Sequence, residues 1–509
     1  MINDMKNVID LLEHSAKAYG DRIAFIDYEK KITYSELAER SKKVASIIIS
    51  KKIKNKPIVV FTRRDIETII LIFGVIYSGN IYIPVDSSQP DEKIKAVLEM
   101  ADTNVILCNK EDVRSIEYHK DIYFFTISGK GEISSIYSDE IDKIRNDIID
   151  TDPISCFLTS GTTGKPKGVL KSHQSILSMI KIFVEKFDFS DKDVFGCQSS
   201  FDFDVSNKSV FISIYLGSSV FIIPNNFFIF PGKLIPSMDK YKVTVLIWSV
   251  SALSLLAKIK VLQGEKPHYL QKVMFSGETI SYTTLRYWQE NLPNVLFVNL
   301  YGPTEMTGNS LFYVVNKICE NKPLPIGKPL PDTRIYLLDE RQHIINEKNI
   351  NGEIYISGKC LAMCYYNDFS KTAEAFIQNP LNSSYPEIIY RTGDIGYIND
   401  NNDYVFVGRK DLQIKRNGYR IELTEIENIV YDSGLVSLCC CIYNKECSKM
   451  ILYYQHDSDK NKELYELLKK KLSGYMMPDK IVRLDKIPLN SHDKVDREVL
   501  MRIENESVL

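Results

Sequence analysis

The sequence predicts an α/β protein with a large N-terminal domain and a smaller C-terminal one. Three observations lead there. Helical and strand-like stretches alternate through most of the 509 residues. Several apolar strands end in turns that carry polar residues, where open α/β sheets place ligands. After about residue 408 the texture changes to the charge-dense GRKDLQIKRNGYR, and helices and strands then resume at a smaller scale. The length exceeds what one hydrophobic core supports. The expected organisation is a domain over residues 1–410, a short hinge at Asp411, and a domain over residues 411–509.

In chain order, TYSELAERSKKVASIII (33–49) opens with Thr33 and Glu36 in capping-box spacing and sets Leu37, Val44 and Ile48 on one helical face. IYIPVD (81–86), SVFIIP (219–224), VTVLIWS (243–249), VMFSG (273–277) and LFVNLYG (296–302) read as buried strands ending in turns. TEIENIVYDSG (424–434) reads as a capped amphipathic helix closed by Gly434. NKELYELLKKKLSGYMMP (461–478) reads as a helix stopped by Gly474 and Pro478. Cys439, Cys440 and Cys441 lie in the strand-like run LVSLCCCIY, where neighbours point to opposite faces and no His is near. That pattern suits small hydrophobes rather than a metal site.

The bulk numbers exclude several function classes. Hydrophobic content of 44% and charged content of 26% are ordinary for a globular protein. A net charge of −2 supplies no basic footprint for nucleic acid and no reason to expect a membrane-surface partner. The first residues lack the uninterrupted apolar stretch of a signal peptide, and the apolar runs 69–77 and 210–223 are too short to cross a bilayer. Ten scattered cysteines suit a reducing cytoplasm.

The segment LTSGTTGKPKG (158–168) concentrates glycine, hydroxyl side chains and lysine. Glycine amides and hydroxyls can wrap phosphate oxygens, with Lys165 and Lys167 adding positive charge. It is not a Walker A loop, because position 159 is Thr, and no GxGxxG opens a βαβ unit elsewhere. Composition alone leaves a phosphate loop and a polar surface turn both open.

Ten segments in order carry more. They are ITYSEL (32–37), GNIYIPVD (79–86), LTSGTTGKPKG (158–168), FDVS (203–206), NLYGPTE (299–305), GEIYISG (352–358), YRTGDI (390–395), GRKDLQIKRNGYRIELTEIE (408–427), LSGYMMP (472–478) and KVDR (494–497). Together they closely resemble the core motifs of the adenylate-forming superfamily over roughly residues 10–500. Within it the chain is most similar to amino-acid adenylation domains of nonribosomal peptide synthetases and their free-standing relatives, including D-alanine–carrier-protein ligases. The resemblance implies stacked α/β sheets and a small distorted barrel in the first domain, and a small mobile α+β second domain. It also implies a reaction, attack of a substrate carboxylate on the α-phosphate of ATP with loss of pyrophosphate. Two anions must then meet, so the site has to neutralise charge and align reactants.

The resemblance assigns roles residue by residue. Thr159, Ser160, Gly161, Thr162, Thr163, Gly164 and Lys167 would cover the ATP phosphates. Glu305 would hold Mg²⁺, a hard cation suited to oxygen ligands, with Thr304 near the α-phosphate. Asp394 would accept hydrogen bonds from the ribose hydroxyls and Arg409 would also contact the ribose. Adenine would lie against Tyr301 and Phe406, near Gly277, with Asn299 reading its amino group. Lys494 would bridge the attacking carboxylate and the α-phosphate. Two departures stand out. SHDK (491–494) replaces the usual Asn-Gly before this lysine, placing Asp493 next to its ammonium. In AMCYYN (362–367), Cys364 replaces a glycine, away from the matched catalytic residues.

Asp204 of FDVS matches the aspartate that binds an α-ammonium, and favours an amino acid over aryl or fatty acids. Such a pair about 4 Å apart gains roughly 4 kcal/mol at an effective dielectric of 20, before desolvation. Asp202 in the repeated FDFD lacks the spacing to Ser206. The side-chain pocket would be lined by Val205, Lys208, Ile247, Met274, Ser276, Leu300, Gly308 and Asn309. Lys208 is unusual there, because an unpaired buried ammonium is costly. Either it meets an acidic or strongly polar substrate, or it snorkels to solvent beside a small neutral one.

After adenylation the family passes the acyl group to a thiol when the C-terminal domain rotates about the hinge, here Asp411. Twelve residues follow Arg497, and no condensation or thioesterase motif is present. The expectation is a free-standing, monomeric enzyme that loads a separate phosphopantetheine carrier protein. Transfer to coenzyme A or an amine is the alternative, and a catalytically retired nucleotide-binding homologue a third reading.

Overall fold

The computed structural model describes residues 5–28, 30–118, 120–127, 136–159, 166–316, 323–445, 447–489 and 495–506. Among these, β-branched apolar runs build two large sheets. One has nine strands in the order Lys328–Pro329, Leu311–Val314, Leu296–Tyr301, Lys272–Ser276, Val245–Ser249, Val194–Cys197, Ser219–Ile222, Ile23–Asp27 and Lys30–Thr33. Its inner strands are parallel, with Ile247 beside Met274 and Met274 beside Val298. The other has seven strands in the order Cys364–Tyr365, Lys167–Ser172, Pro153–Thr159, Ile81–Asp86, Pro57–Thr62, Val105–Asn109 and Tyr123–Ile127.

One core joins both sheets through the helices between them. Ile58 and Val60 of the seven-stranded sheet and Val220 and Ile247 of the nine-stranded one share it with Phe73, Ile180 and Phe211 of the helices Ile66–Tyr77, His173–Phe187 and Ser206–Leu216. Strand alternation sends Leu246, Trp248 and Phe275 to the opposite face, against Leu253, Leu285 and Trp288 of two further helices. The helix Tyr34–Ser50 begins with the expected capping box, Thr33 with Glu36. It crosses Ile66–Tyr77 so closely that a Cβ on Gly74 would lie 2.3 Å from Val44 Cγ1. A five-stranded antiparallel half-barrel sheet follows, from Thr333–Leu338, Gly352–Gly358, Phe376–Gln378, Ile388–Ile398 and Tyr404–Arg409.

The chain divides into two compact units. The larger comprises Met1–Ser87, Ala101–Leu158 and Gly168–Lys410; the smaller comprises Ser88–Met100, Thr159–Lys167 and Asp411–Leu509. In the smaller one, the helix Leu423–Asp432 has Glu422 at its N-cap with no side-chain cap hydrogen bond. The helix from Asn461 ends at Lys471, before Gly474, because Leu472 turns inward with an extended backbone. The cysteine strand alternates as its pattern requires: Cys439 and Cys441 join the cluster around Leu452, and Cys440 joins Ile451 and Leu500. Arg497 of the KVDR segment is clamped by both carboxylate oxygens of buried Glu427, at 2.8 and 2.9 Å.

Overpacking a filled contact costs about 1–3 kcal/mol. Gly74→Val should therefore lower the unfolding free energy by that amount, read as a lower urea midpoint at an unchanged denaturant slope.

Candidate active site

The site is organised by a chain reversal between Tyr301, at the end of a buried strand, and Ser310. Ser310 N–H donates to Tyr301 O at 2.7 Å. Gly302 packs against the returning backbone, where a Cβ would stand 2.8 Å from Asn309 Cα. Gly308 has φ +87 and faces Met179, a left-handed conformation that glycine adopts without strain. Within these ten positions lie Tyr301, Thr304, Glu305, Gly308 and Asn309.

Tyr301 and Arg409 converge on Asp394. The Tyr301 hydroxyl donates to Asp394 Oδ2, and the Arg409 guanidinium pairs with Oδ1. Antiparallel pairing sets Asp394 directly opposite Arg409. Thr392 Oγ1 accepts from the Asp394 amide at 2.9 Å. Each carboxylate oxygen retains a second lone pair, so the group can still accept from a ligand diol. Burial, then Asp394, hold the Tyr301 phenol well above its ordinary range, so it stays a donor. Its ring lies 6.4 Å from that of Phe406, tilted by 37°. Asn299 Nδ2 donates to Pro325 O at 2.8 Å, which leaves its Oδ1 available as an acceptor. Gly277 has φ +103 and open space where a Cβ would stand.

Glu305 is fully buried; its Oε1 accepts from the Tyr365 hydroxyl at 2.6 Å, and its carbonyl accepts from Ala362 N–H. Tyr365 was not among the residues singled out from sequence. Its strand, Cys364–Tyr365, pairs with Leu170 and Val169. The AMCYYN segment therefore abuts Glu305 rather than lying away from it. Among the described residues no three metal-ligating side chains cluster. One hard oxygen donor suits Mg²⁺, which keeps waters and takes its remaining ligands from phosphates.

The expected substrate wall is brought to one face. Ile247, Met274 and Leu300 point from three parallel strands into the shared core, with Ser276 at a strand end. Asp204 and Val205 immediately precede the helix Ser206–Leu216, whose residues from Ser206 to Ile214 are all buried. That burial overturns one sequence expectation: Lys208 does not snorkel. It is 1% exposed, its Nζ donates to Asn309 Oδ1 at 3.0 Å, and it lies 5.9 Å from the Phe183 ring centroid. Burial pulls its ammonium down to about 8; Asp204 opposes the fall and Lys171 adds to it.

Lys171 was missed. It is the penultimate residue of the strand Lys167–Ser172 and is fully buried, and its Nζ is 2.9 Å from Asp204 Oδ2. The signal was a lysine in the apolar context GVLKS just after the glycine-rich loop. Asp202 instead has its carboxyl pushed up to about 6, chiefly by burial, with Asp86 contributing. In the smaller unit, Thr159 ends the strand Pro153–Thr159 with its hydroxyl buried and unbonded among the described residues. Lys167 begins the next strand, and Asp411 Oδ1 accepts from Gln413 N–H. Ser160, Gly161, Thr162, Thr163, Gly164 and Lys494, with the whole SHDK segment, lie outside the described residues.

Two measurements follow. Breaking a buried ion pair by removing one partner costs about 3–5 kcal/mol; Asp394→Asn, which removes the carboxylate that pairs with Arg409, should lose stability of that order in urea melts. Lys208 has a folded value of about 8 against an ordinary 10.5. Between those values the unfolded chain binds more protons, so this group's penalty is full below about 8 and relaxes as pH rises. The stability of Lys208→Met relative to the parent should therefore be greatest near pH 7 and decline toward pH 10.

Residues 12–366 match the family described as AMP-binding enzyme. The chain is 30% identical to zwittermicin A synthase ZmaJ of Bacillus cereus over 507 residues, covering 96% of this chain and 94% of that protein. It is 27% identical to tyrocidine synthase 1 of Brevibacillus parabrevis, of which it spans 45%. Two solved structures share the fold. The Vibrio cholerae adenylation domain AlmE, solved with glycyl-adenosine-5'-phosphate, aligns with a TM-score of 0.85 and 20% identity over 98% of each chain. An artificially fused adenylation–PCP di-domain from Klebsiella oxytoca aligns with a TM-score of 0.78 and 23% identity, covering 95% of this chain and 94% of that one. Tyr301 and Arg409, which converge on Asp394, and Glu305 on the same turn as Tyr301 thus belong to a family fold that extends through the chain, which is a member of the AMP-binding, adenylate-forming enzymes.

Proposed function

We propose that this enzyme activates an amino acid as its aminoacyl adenylate and then passes it to the phosphopantetheine thiol of a separate carrier protein. The observation that carries the amino-acid reading is Asp204. Its Oδ2 is taken by Lys171, while Oδ1 makes no hydrogen bond among the described residues and the side chain keeps 14% exposure. That oxygen is an acceptor suited to an ammonium.

In the first step a substrate carboxylate oxygen forms a bond to the α-phosphorus of ATP, and the bond to the bridging oxygen of pyrophosphate breaks. In the second, a thiolate attacks the acyl carbon and AMP leaves. Asp394 and Arg409 hold the ribose, Phe406 and Tyr301 flank the base, and Asn299 Oδ1 accepts from its amino group. Glu305 would hold Mg²⁺, whose charge, when bound, offsets that of the phosphates. Thr304 and the glycine-rich loop from Thr159 orient the phosphates, and Lys494 draws the two anions together. The roles of Asp394, Arg409, Tyr301, Phe406, Asn299 and Glu305 rest on the motif match together with their placement; those of Thr304, the glycine-rich loop and Lys494 rest on the motif match alone.

Amino-acid-dependent exchange of pyrophosphate into ATP tests this reading. Removing a preorganised charge typically costs on the order of 10²–10³ in rate, so Lys494→Ala should lose that much exchange at unchanged melting temperature. Exchange driven by acids that lack an amino group, with none from amino acids, would refute it.

A further inference from the structure

We propose that the amino acid activated here carries a carboxylate in its side chain, and that Lys208 with Asn309 selects it. The inference rests on the amino-acid reading and deepens it.

The first ground is a charge count in a buried place. Lys171 and Lys208 are both buried, at 0% and 1% exposure; Asp204 pairs with the first and is the carboxylate whose charge acts on the second. Asp204 is already committed by one oxygen to Lys171. Lys208 forms no ion pair among the described residues: its contacts are the neutral amide oxygen of Asn309 and the face of Phe183. An incoming α-ammonium would be a third cation against one anion. A neutral side chain leaves that imbalance, a basic one worsens it, and a carboxylate offsets it. Desolvated like charges are costly at this depth.

The second ground is the arrangement of donors. Lys208 Nζ carries three protons and gives one to Asn309. Asn309 Nδ2 makes no hydrogen bond among the described residues. It belongs to the same amide that Lys208 grips, so the two groups present neighbouring donors, and a carboxylate can accept from both. Ile247, Met274 and Leu300 supply apolar walls that exclude water and strengthen the pairing. Gly308 leaves no spare room on the Met179 side, where a Cβ would come within 2.8 Å. Burial lowers the ammonium value of Lys208, and Asp204 opposes that fall only in part.

The test is pyrophosphate exchange by the full chain with both enantiomers of aspartate, glutamate, asparagine, glutamine, serine, alanine and lysine, with glycine, and with succinate and glutarate. Expected is a kcat/KM for aspartate or glutamate at least 100-fold above that for the matching amide. Lys208→Met should abolish that preference, and Lys208→Gln should turn it toward the amide, with AMP binding unchanged in both. A neutral amino acid preferred by the parent enzyme would overturn this inference and leave amino-acid adenylation standing. Succinate or glutarate active where every amino acid fails would overturn the amino-acid reading and this one together, as would no exchange with any acid. The parent panel decides without variants should Lys208 substitutions fail to fold.

Discussion

The reversal of the chain between Tyr301 and Ser310 is the constraint on which the site depends. A strand of a mostly parallel sheet must end at its carboxyl edge, and here the chain returns antiparallel within ten residues. Gly302 permits the two backbones to approach, and Gly308 permits the left-handed bend against Met179. The consequence is that three separate elements find partners on one short turn. Tyr301 reaches Asp394 of the half-barrel, Glu305 reaches Tyr365 of the seven-stranded sheet, and Asn309 reaches Lys208 of the central helix. A displacement of the turn would disturb all three together.

The second organising principle is charge held away from water. Asp394 is 3% exposed and balanced by Arg409, whose fork approaches from the neighbouring strand. Near Asp204 two buried ammonium groups, Lys171 and Lys208, share the charge of that carboxylate. Buried charge is tolerated in a fold when something repays its desolvation. Around Asp394 the repayment is internal. Around Asp204 it is left, on the proposed reading, to a ligand, and binding sites are where the rules that govern the rest of a core are commonly broken.

Much of the architecture was legible in the sequence. The buried strands declared themselves by short apolar runs ending in turns, and the helix after Thr33 by its capping box, because these signals are local. The cysteine triplet was readable for the same reason: strand periodicity alone places Cys440 opposite its neighbours. The helix that ends at Lys471 was less so, since a buried Leu472 stopped it before the glycine that local rules favour.

The motif residues could be named from sequence, but their partners could not. Nothing near Glu305 in the chain points to Tyr365, sixty residues on, nor does anything near Asp204 point to Lys171. Lys208 shows the division plainly. The sequence by itself determined that a lysine stands four residues after Asp204, and left open whether it reaches water. Only the tertiary structure decided that it does not, because its helix is packed on all sides between two sheets and a lysine stem spans too little distance to leave such a core.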